Sequence, residues 1–566
     1  MRWIVNTQPV RIMFKATGNR ISCPAGGVAQ PKAKRVGLAY RHAWLAAAFG
    51  FGFISSGFAQ FDASRVKPQL RNVAEQYPDP SLTYDTPGLQ PGRQDFATHV
   101  DVLTFIEALA LRSARVKVEV LGMSQQGRSN PLVVLTGSAG LRKELPTILI
   151  LGQQHGNEPA GGEAALAIAQ QIAVADAALL EGVNVLIMPR ANPDGADRFA
   201  RVTASGADVN RDHLLLRTPE AQHIANVVRQ YRPQVVLDLH EFTVGDRWVA
   251  KFGVLQKYDA LVQAATVGNM SPAIAAAQKT YVEAVQRALI DAGQTPFWYF
   301  TTSGDAKDKM VAMGGVQPDT GRNVNGLRQA ISLLIETRGV GLGRHHFKRR
   351  VHGHVVAALA VIKTAANQGS ALVAMMDAAD AQVADLACRG ELVIRAQHSL
   401  TRQTLDFWDA TTGAPRSLEV VWRSALDLRV DLQRPRPCGY LVAGSQAQAL
   451  DRLRALGVQM RPASEFQSSA PNWAVERFEV LSTDDGKRQD ARGAIEDGDD
   501  VRVFAVRTVP AQLQAQPGSF YVSLAQPLSA LISAALEPDS QNSYAANSLL
   551  NLGEANVLRV MQVPKP

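Results

Sequence analysis

Cysteine is almost missing from this chain. Three residues in 566, Cys23, Cys388 and Cys438, are too few for a disulfide scaffold. Acid is missing from one end: residues 1–59 hold eight Lys or Arg and no Asp or Glu, leaving 51 basic against 51 acidic residues in the rest. The net charge of +8 therefore belongs to the leader, and a formally neutral body gives no electrostatic reason to expect nucleic acid as a partner. Long apolar runs are missing too. The clearest, residues 43–54, is too short to span a bilayer. No internal repeat is evident, and 46% apolar with 19% charged residues describes an ordinary globular chain long enough for two or three domains.

What the first residues do contain reads as an export signal. Lys32, Lys34, Arg35 and Arg41 precede the apolar run, and Gly57-Phe58-Ala59 supplies a small-x-small cleavage site. Removal of 1–59 would leave no stable membrane span. It would also leave Cys388 and Cys438 as an even pair that an oxidising compartment could join, although nothing in the sequence brings them together.

Beyond the leader, apolar runs at 116–121, 132–135, 147–152, 183–188, 235–239 and 331–335 have the length and β-branched content of buried strands. They alternate with helical patterns at 101–111, 164–175, 219–231, 272–292 and 351–366. This predicts an α/β fold with a mixed, largely parallel sheet and helices on both faces. Near Gly369 the texture changes to short strand candidates with helices at 447–456 and 527–536. Three parts are expected: the leader 1–59, a catalytic domain 60–368, and a β-rich α+β accessory region 369–566 without readable chemistry.

The chemistry gathers at strand ends. His155 and Glu158 leave the run 147–152, and His240 leaves 235–239 in the same way; side by side, such strands would deliver two imidazoles and a carboxylate to one point. Three ligands of that kind, with a position left open, are what a catalytic zinc uses. Glu336 ends a further apolar run, and a carboxylate able to reach a water on that ion could take its proton. His345, His346, His352 and His354 stand among Arg344, Lys348, Arg349 and Arg350 without an acidic partner. They read as a solvated, positive segment rather than a second metal site. Glu163 and Glu241 flank the ligand candidates and read as supporting groups.

In order along the chain stand GxSxxGR (Gly122–Arg128), HGNE (His155–Glu158), NPDG (Asn192–Gly195), Arg201, an Asp-x-Asn-Arg stretch (Asp208–Arg211), His240 and Ile335-Glu336-Thr337-Arg338. The set resembles the zinc metallocarboxypeptidases, the carboxypeptidase A-like peptidases, over roughly 95–366. The resemblance implies one Zn²⁺ held by His155, Glu158 and His240, with Glu336 as general base and then acid. It also implies Arg201 at the developing oxyanion, Asn210 and Arg211 on the free C-terminal carboxylate of a peptide substrate, and Asp208 orienting the first imidazole. An exported zinc-dependent carboxypeptidase is the function implied. A zinc amide deacylase of N-acyl amino acids and an inactive peptidase fold that binds peptides or cell-wall fragments remain as alternatives. One departure stands out: members carry a mobile Tyr about twenty residues before the catalytic Glu, and residues 310–316 contain none. Tyr299 is the nearest upstream candidate, and Arg322 or Asn323 could contact substrate instead.

Overall fold

The apolar runs become strands where both faces can be covered. In the computed structural model, which describes residues 61–466, 472–490, 493–494 and 500–562, thirteen strands position the site. They are β1 (Val116–Met123), β2 (Ser129–Leu135), β3 (Thr147–Gly152), β4 (Asn184–Met188), β5 (Val235–Thr243), β6 (Val254–Gln256), β7 (Ala260–Ala264), β8 (Pro296–Trp298), β9 (Thr301–Thr302), β10 (Val311–Ala312), β11 (Ile331–Val340), β12 (Glu391–Asp409) and β13 (Pro415–Pro435). The leader expected over 1–59 lies outside the described residues. No single helix among them is long and apolar enough to cross a membrane.

Eight strands make the central sheet in the order β1-β2-β4-β3-β5-β11-β7-β8. The middle four are parallel, while β1, β2 and β7 join antiparallel. The sheet is mixed and largely parallel, as the alternating pattern predicts. Period two sorts its side chains: Ile148 and Ile150 of β3 enter one core, and Leu149 and Leu151 enter the other. The first core is roofed by helices Pro159–Val174, Pro272–Asp291 and Phe347–Gln368, and the second by Pro219–Tyr231. β7 was not legible in advance. Its five residues carry no alternation of their own.

Helix Phe347–Gln368 corrects one expectation. Its basic, histidine-rich first turns are not solvated throughout, because Arg350 and His354 are buried. Arg350 Nε donates to Glu241 at 2.8 Å, and His354 Nε2 lies 3.0 Å from the Thr337 hydroxyl. Burial in this helix drives the His354 pKa down to about 3.

Residues after Gly369 begin with a helix, Ser370–Asp385, that the sequence pattern did not reveal. They then build long strands rather than short ones. β12 and β13 form an antiparallel hairpin of 19 and 21 residues; its solvent-facing middle, Thr401 to Thr404, is polar on every residue and hides the strand from an apolar reading. The hairpin joins a five-stranded sheet, β6-β12-β13-β10-β9, three of whose strands precede residue 369. Leu405, Phe407, Val420 and Trp422 from the hairpin share one core with Phe242, Trp248 and Phe300. A six-stranded sheet from segments between Gly439 and Val560 follows. Cys388 and Cys438 form a disulfide.

Candidate active site

Parallel strands end on the same side of a sheet, which is where their loops meet. Here β3 runs beside β5, Gly152 opposite Leu239, and β5 beside β11, His240 opposite Glu336. Neighbouring strands lie about 4.8 Å apart, so the chain-distant His240 and Glu336 are adjacent. His155 and Glu158 arrive on the loop after β3. Gln153 turns that loop through a positive φ of 51° and clamps it by donating from Nε2 to the Gly156 carbonyl at 3.0 Å. Gly156 is there because nothing larger fits: a Cβ would come within 1.9 Å of the Gly195 backbone. That second loop, residues 192–195, is held in turn by Ser124 and Arg128, which donate to Asp194 at 2.7 and 2.9 Å. The two turn motifs thus brace the ligand-bearing loop.

The three expected ligands converge. His155 Nδ1 is 2.9 Å from Glu158 Oε1, His240 Nδ1 is 2.9 Å from Glu158 Oε2, and the two Nδ1 atoms face each other at 3.0 Å. Among the described residues, this is the cluster able to hold a metal ion. The outer nitrogens are fastened to carboxylates: His155 Nε2 to Asp208 at 3.1 Å and His240 Nε2 to Asp238 at 2.8 Å. A carboxylate on one ring nitrogen holds the proton there and leaves the other lone pair for a cation, the usual support of a zinc-binding His. Asp208 also accepts from the Asn210 amide at 2.9 Å, so it orients an imidazole and caps a turn at once. Asp238 escaped the sequence reading. Its signal was there, since residues two apart on a strand share a face.

Carboxylates surround the donors. Arg201 approaches Glu158 at 3.5 Å and pairs through Nη2 with Asp208 at 2.8 Å, while Asp238 faces His240. Burial alone would raise the Glu158 and Asp208 carboxyls, but the imidazoles beside Glu158, and Arg201 with His155 beside Asp208, hold both well below the usual range. Burial would lower His240, yet Asp238 and Glu158 carry it well above the ordinary histidine value. Two imidazoles and a carboxylate, each imidazole backed by a further carboxylate, fit Zn²⁺. Glu336 behaves oppositely. Burial, with the Glu158 charge second, pushes its carboxyl up to about 7.

A cavity of about 200 Å³ collects His155, Glu158 and Glu336 with Arg201, Asn210 and Arg211. Asn210 is already engaged, accepting from the Gly321 amide at 2.8 Å and placing Nδ2 3.4 Å from His240. Tyr299 and Arg322 line the same cavity. Asn323 does not; its amide ties down the carbonyls of Gly315 and Gln317 at 2.9 and 2.7 Å. Glu241 serves the Arg350 pair described above and accepts from the Ala160 amide at 2.9 Å. Glu163 accepts from the Gly88 amide at 2.7 Å.

Residues 102–234 match the zinc carboxypeptidase family model, a span that holds the HGNE, NPDG and Asp-x-Asn-Arg motifs. Carboxypeptidase 2 of Trichophyton rubrum is 28% identical over 437 residues, 75% of this chain and 79% of that protein. Both likenesses point to the zinc metallocarboxypeptidase family. Carboxypeptidase 2 of Trichophyton tonsurans aligns at 25% identity over 78% of this chain and 81% of its own length, so the likeness runs well beyond the catalytic sheet. Among solved structures, a metallo-carboxypeptidase from Burkholderia cenocepacia aligns at 18% identity over 47% of this chain and 69% of that chain, with a TM-score of 0.36. As a metallocarboxypeptidase the chain is a hydrolase. His240 and Glu336 lie outside the matched span 102–234, and the pairing of β5 with β11 brings them to it.

Proposed function

We propose that the chain is an exported carboxypeptidase that hydrolyses the last peptide bond of a peptide, with His155, Glu158 and His240 holding one Zn²⁺. The observation carrying this is the convergence of those three donors within 3.0 Å contacts beside Glu336, in a cavity that Arg201 and Arg211 also line. When bound, zinc supplies Lewis acidity to the scissile carbonyl and to the attacking water. Arg211 binds the substrate's terminal carboxylate through its planar fork, and Asn210 backs it as a neutral hydrogen-bonding partner. Glu336 takes the proton from water and delivers it to the departing amine. A carboxyl pushed up to about 7 suits both halves of that task near neutral pH. Arg201, which lines the same cavity, stabilises the negative charge that grows on the carbonyl oxygen. Asp208 and Asp238 keep the imidazoles turned inward. The leader pattern over 1–59 and the Cys388–Cys438 disulfide both support export to an oxidising compartment.

The test compares a peptide with a free C-terminus against its amidated twin, with zinc, after chelation, and with the Glu336→Gln variant. The expected result is cleavage of the free peptide only, lost on chelation and restored by zinc, with a drop of at least about 100-fold in kcat for the variant while zinc stays bound. Equal cleavage of the amidated peptide, or an undiminished variant, would end the proposal.

A further inference from the structure

The cleft does not stop at the catalytic pocket. Gly315 and Asp319, which line it, also line a neighbouring cavity of about 320 Å³. The far wall of this second cavity comes from the C-terminal hairpin, through His398 and Leu400 of β12 and Arg423 of β13. The junction is built, not incidental. β10 pairs in parallel with β13, Ala312 opposite Arg423, and the Met313 amide donates to the Arg423 carbonyl at 3.0 Å. Gln317 Nε2 donates to the Ala396 carbonyl at 2.8 Å. His398 Nε2 donates to the Gly314 carbonyl at 3.1 Å. Segment 311–317, which gives Gly314 and Gly315 to the lining of the catalytic pocket, is thus hydrogen-bonded to the region after residue 369.

The charges along this groove are unequally matched. Arg429 donates to Gln397 at 2.6 Å, and Asp319 lies 4.0 Å from Arg211. Burial and the nearby guanidinium groups lower the His398 pKa, while its contacts with the backbone carbonyls oppose them, which leaves it a neutral donor. Asp308 feels the charge of Arg423 but gives its oxygens to Ser303 and to the Met310 amide at 2.8 and 2.9 Å. The Arg423 side chain, half-buried, makes no hydrogen bond or ion pair among the described residues. A partly desolvated guanidinium without an anion is unfavourable, and a carboxylate is its natural complement. Leu400, 66% exposed, adds an apolar edge for the stem of such a side chain.

We infer that the hairpin β12–β13 extends the substrate cleft, and that Arg423 selects peptides carrying an Asp or Glu side chain in addition to the terminal carboxylate. This rests on the carboxypeptidase reading and gives the C-terminal region a task in it. The experiment uses the full-length, zinc-loaded protein and peptide pairs that differ by Glu or Gln at one position, scanned along the peptide. At one position the ratio of kcat/KM for Glu over Gln should be about tenfold, the worth of one charge-assisted hydrogen bond. Arg423→Gln should bring that ratio to about one, Arg423→Lys should keep part of it, and Arg423→Glu should invert it. A wild-type ratio at or below one everywhere, or a ratio untouched by Arg423→Gln, overturns the inference. Where Arg423→Gln fails to fold, the wild-type ratio and its collapse in high salt decide the matter. Calorimetric binding of the same pairs to the Glu336→Gln protein separates this idea from the catalytic one. A Glu preference there, with no turnover by the wild type, would refute catalysis and leave the groove standing; equal binding of the pair would refute the groove.

Discussion

Asp238 is the sharpest place to perturb the metal site. It is not itself one of the three metal donors, lies 2% exposed, and accepts at Oδ1 from His240 Nε2 at 2.8 Å and from Gln154 Nε2 at 2.6 Å. In Asp238→Asn the shape stays and the charge goes, and an amide NH₂ turned towards the imidazole favours the tautomer with its proton on Nδ1, the wrong side. Loss of such a supporting carboxylate weakens metal binding by about 10- to 100-fold, or roughly 1.4 to 2.7 kcal/mol. The sign of the pH dependence follows from His240. Its pKa is raised in the metal-free protein, so zinc must displace a proton, and affinity falls as pH drops through that raised value, above about 6.5. Removing the Asp238 charge lowers the His240 pKa, so the variant's affinity should depend less steeply on pH, and its defect should shrink towards acid. The assay is competition for zinc against a chromophoric chelator from pH 6 to 8, with a thermal melt of each metal-free protein as a folding control. An Asp238→Asn protein that binds zinc within about twofold of the wild type across that range, or a wild type with flat pH dependence, would refute the reasoning.

Gly156→Ala forces a methyl group into the Gly195 backbone and should cost about 1–3 kcal/mol in chemical denaturation along with zinc binding, whereas Gly304→Ala, with open space around it, should spare the metal. Because Glu336 must be a carboxylate to accept a proton, and a bound dication can only lower its value from about 7, kcat/KM should rise with pH through a midpoint below 7; a fall with rising pH there would exclude it as base. Trp422→Ala empties a buried position whose ring lies 5.9 Å from Phe300; it should cost about 3–5 kcal/mol and raise KM, while an unchanged KM in a destabilised protein would separate the hairpin from the pocket wall. The Cys388→Ser/Cys438→Ser double variant opens a 50-residue loop and should lose about 2–4 kcal/mol in urea unfolding.

Much of the catalytic half was legible because its determinants are local. Buried parallel strands must be apolar on both faces, so 147–152, 235–239 and 331–335 announced themselves, with His240 and Glu336 directly after the last two and His155 and Glu158 on the loop after the first. His155, Glu158, His240 and Glu336 were readable for that reason. Asp238 was missed although its spacing from His240 encoded its direction, and the buried Arg350 was mistaken for a surface cation because its partner, Glu241, lies far away in the chain. β12 and β13 looked like fragments since their exposed stretches carry no apolar signal. What a single chain of letters determines is which segments must hide and which polar groups sit at their ends. Which of those ends meet is a matter of strand order, set by long-range packing that no local pattern contains; it placed Glu336 beside His240, and it brought Arg423 of the later hairpin to the cavity next to the site.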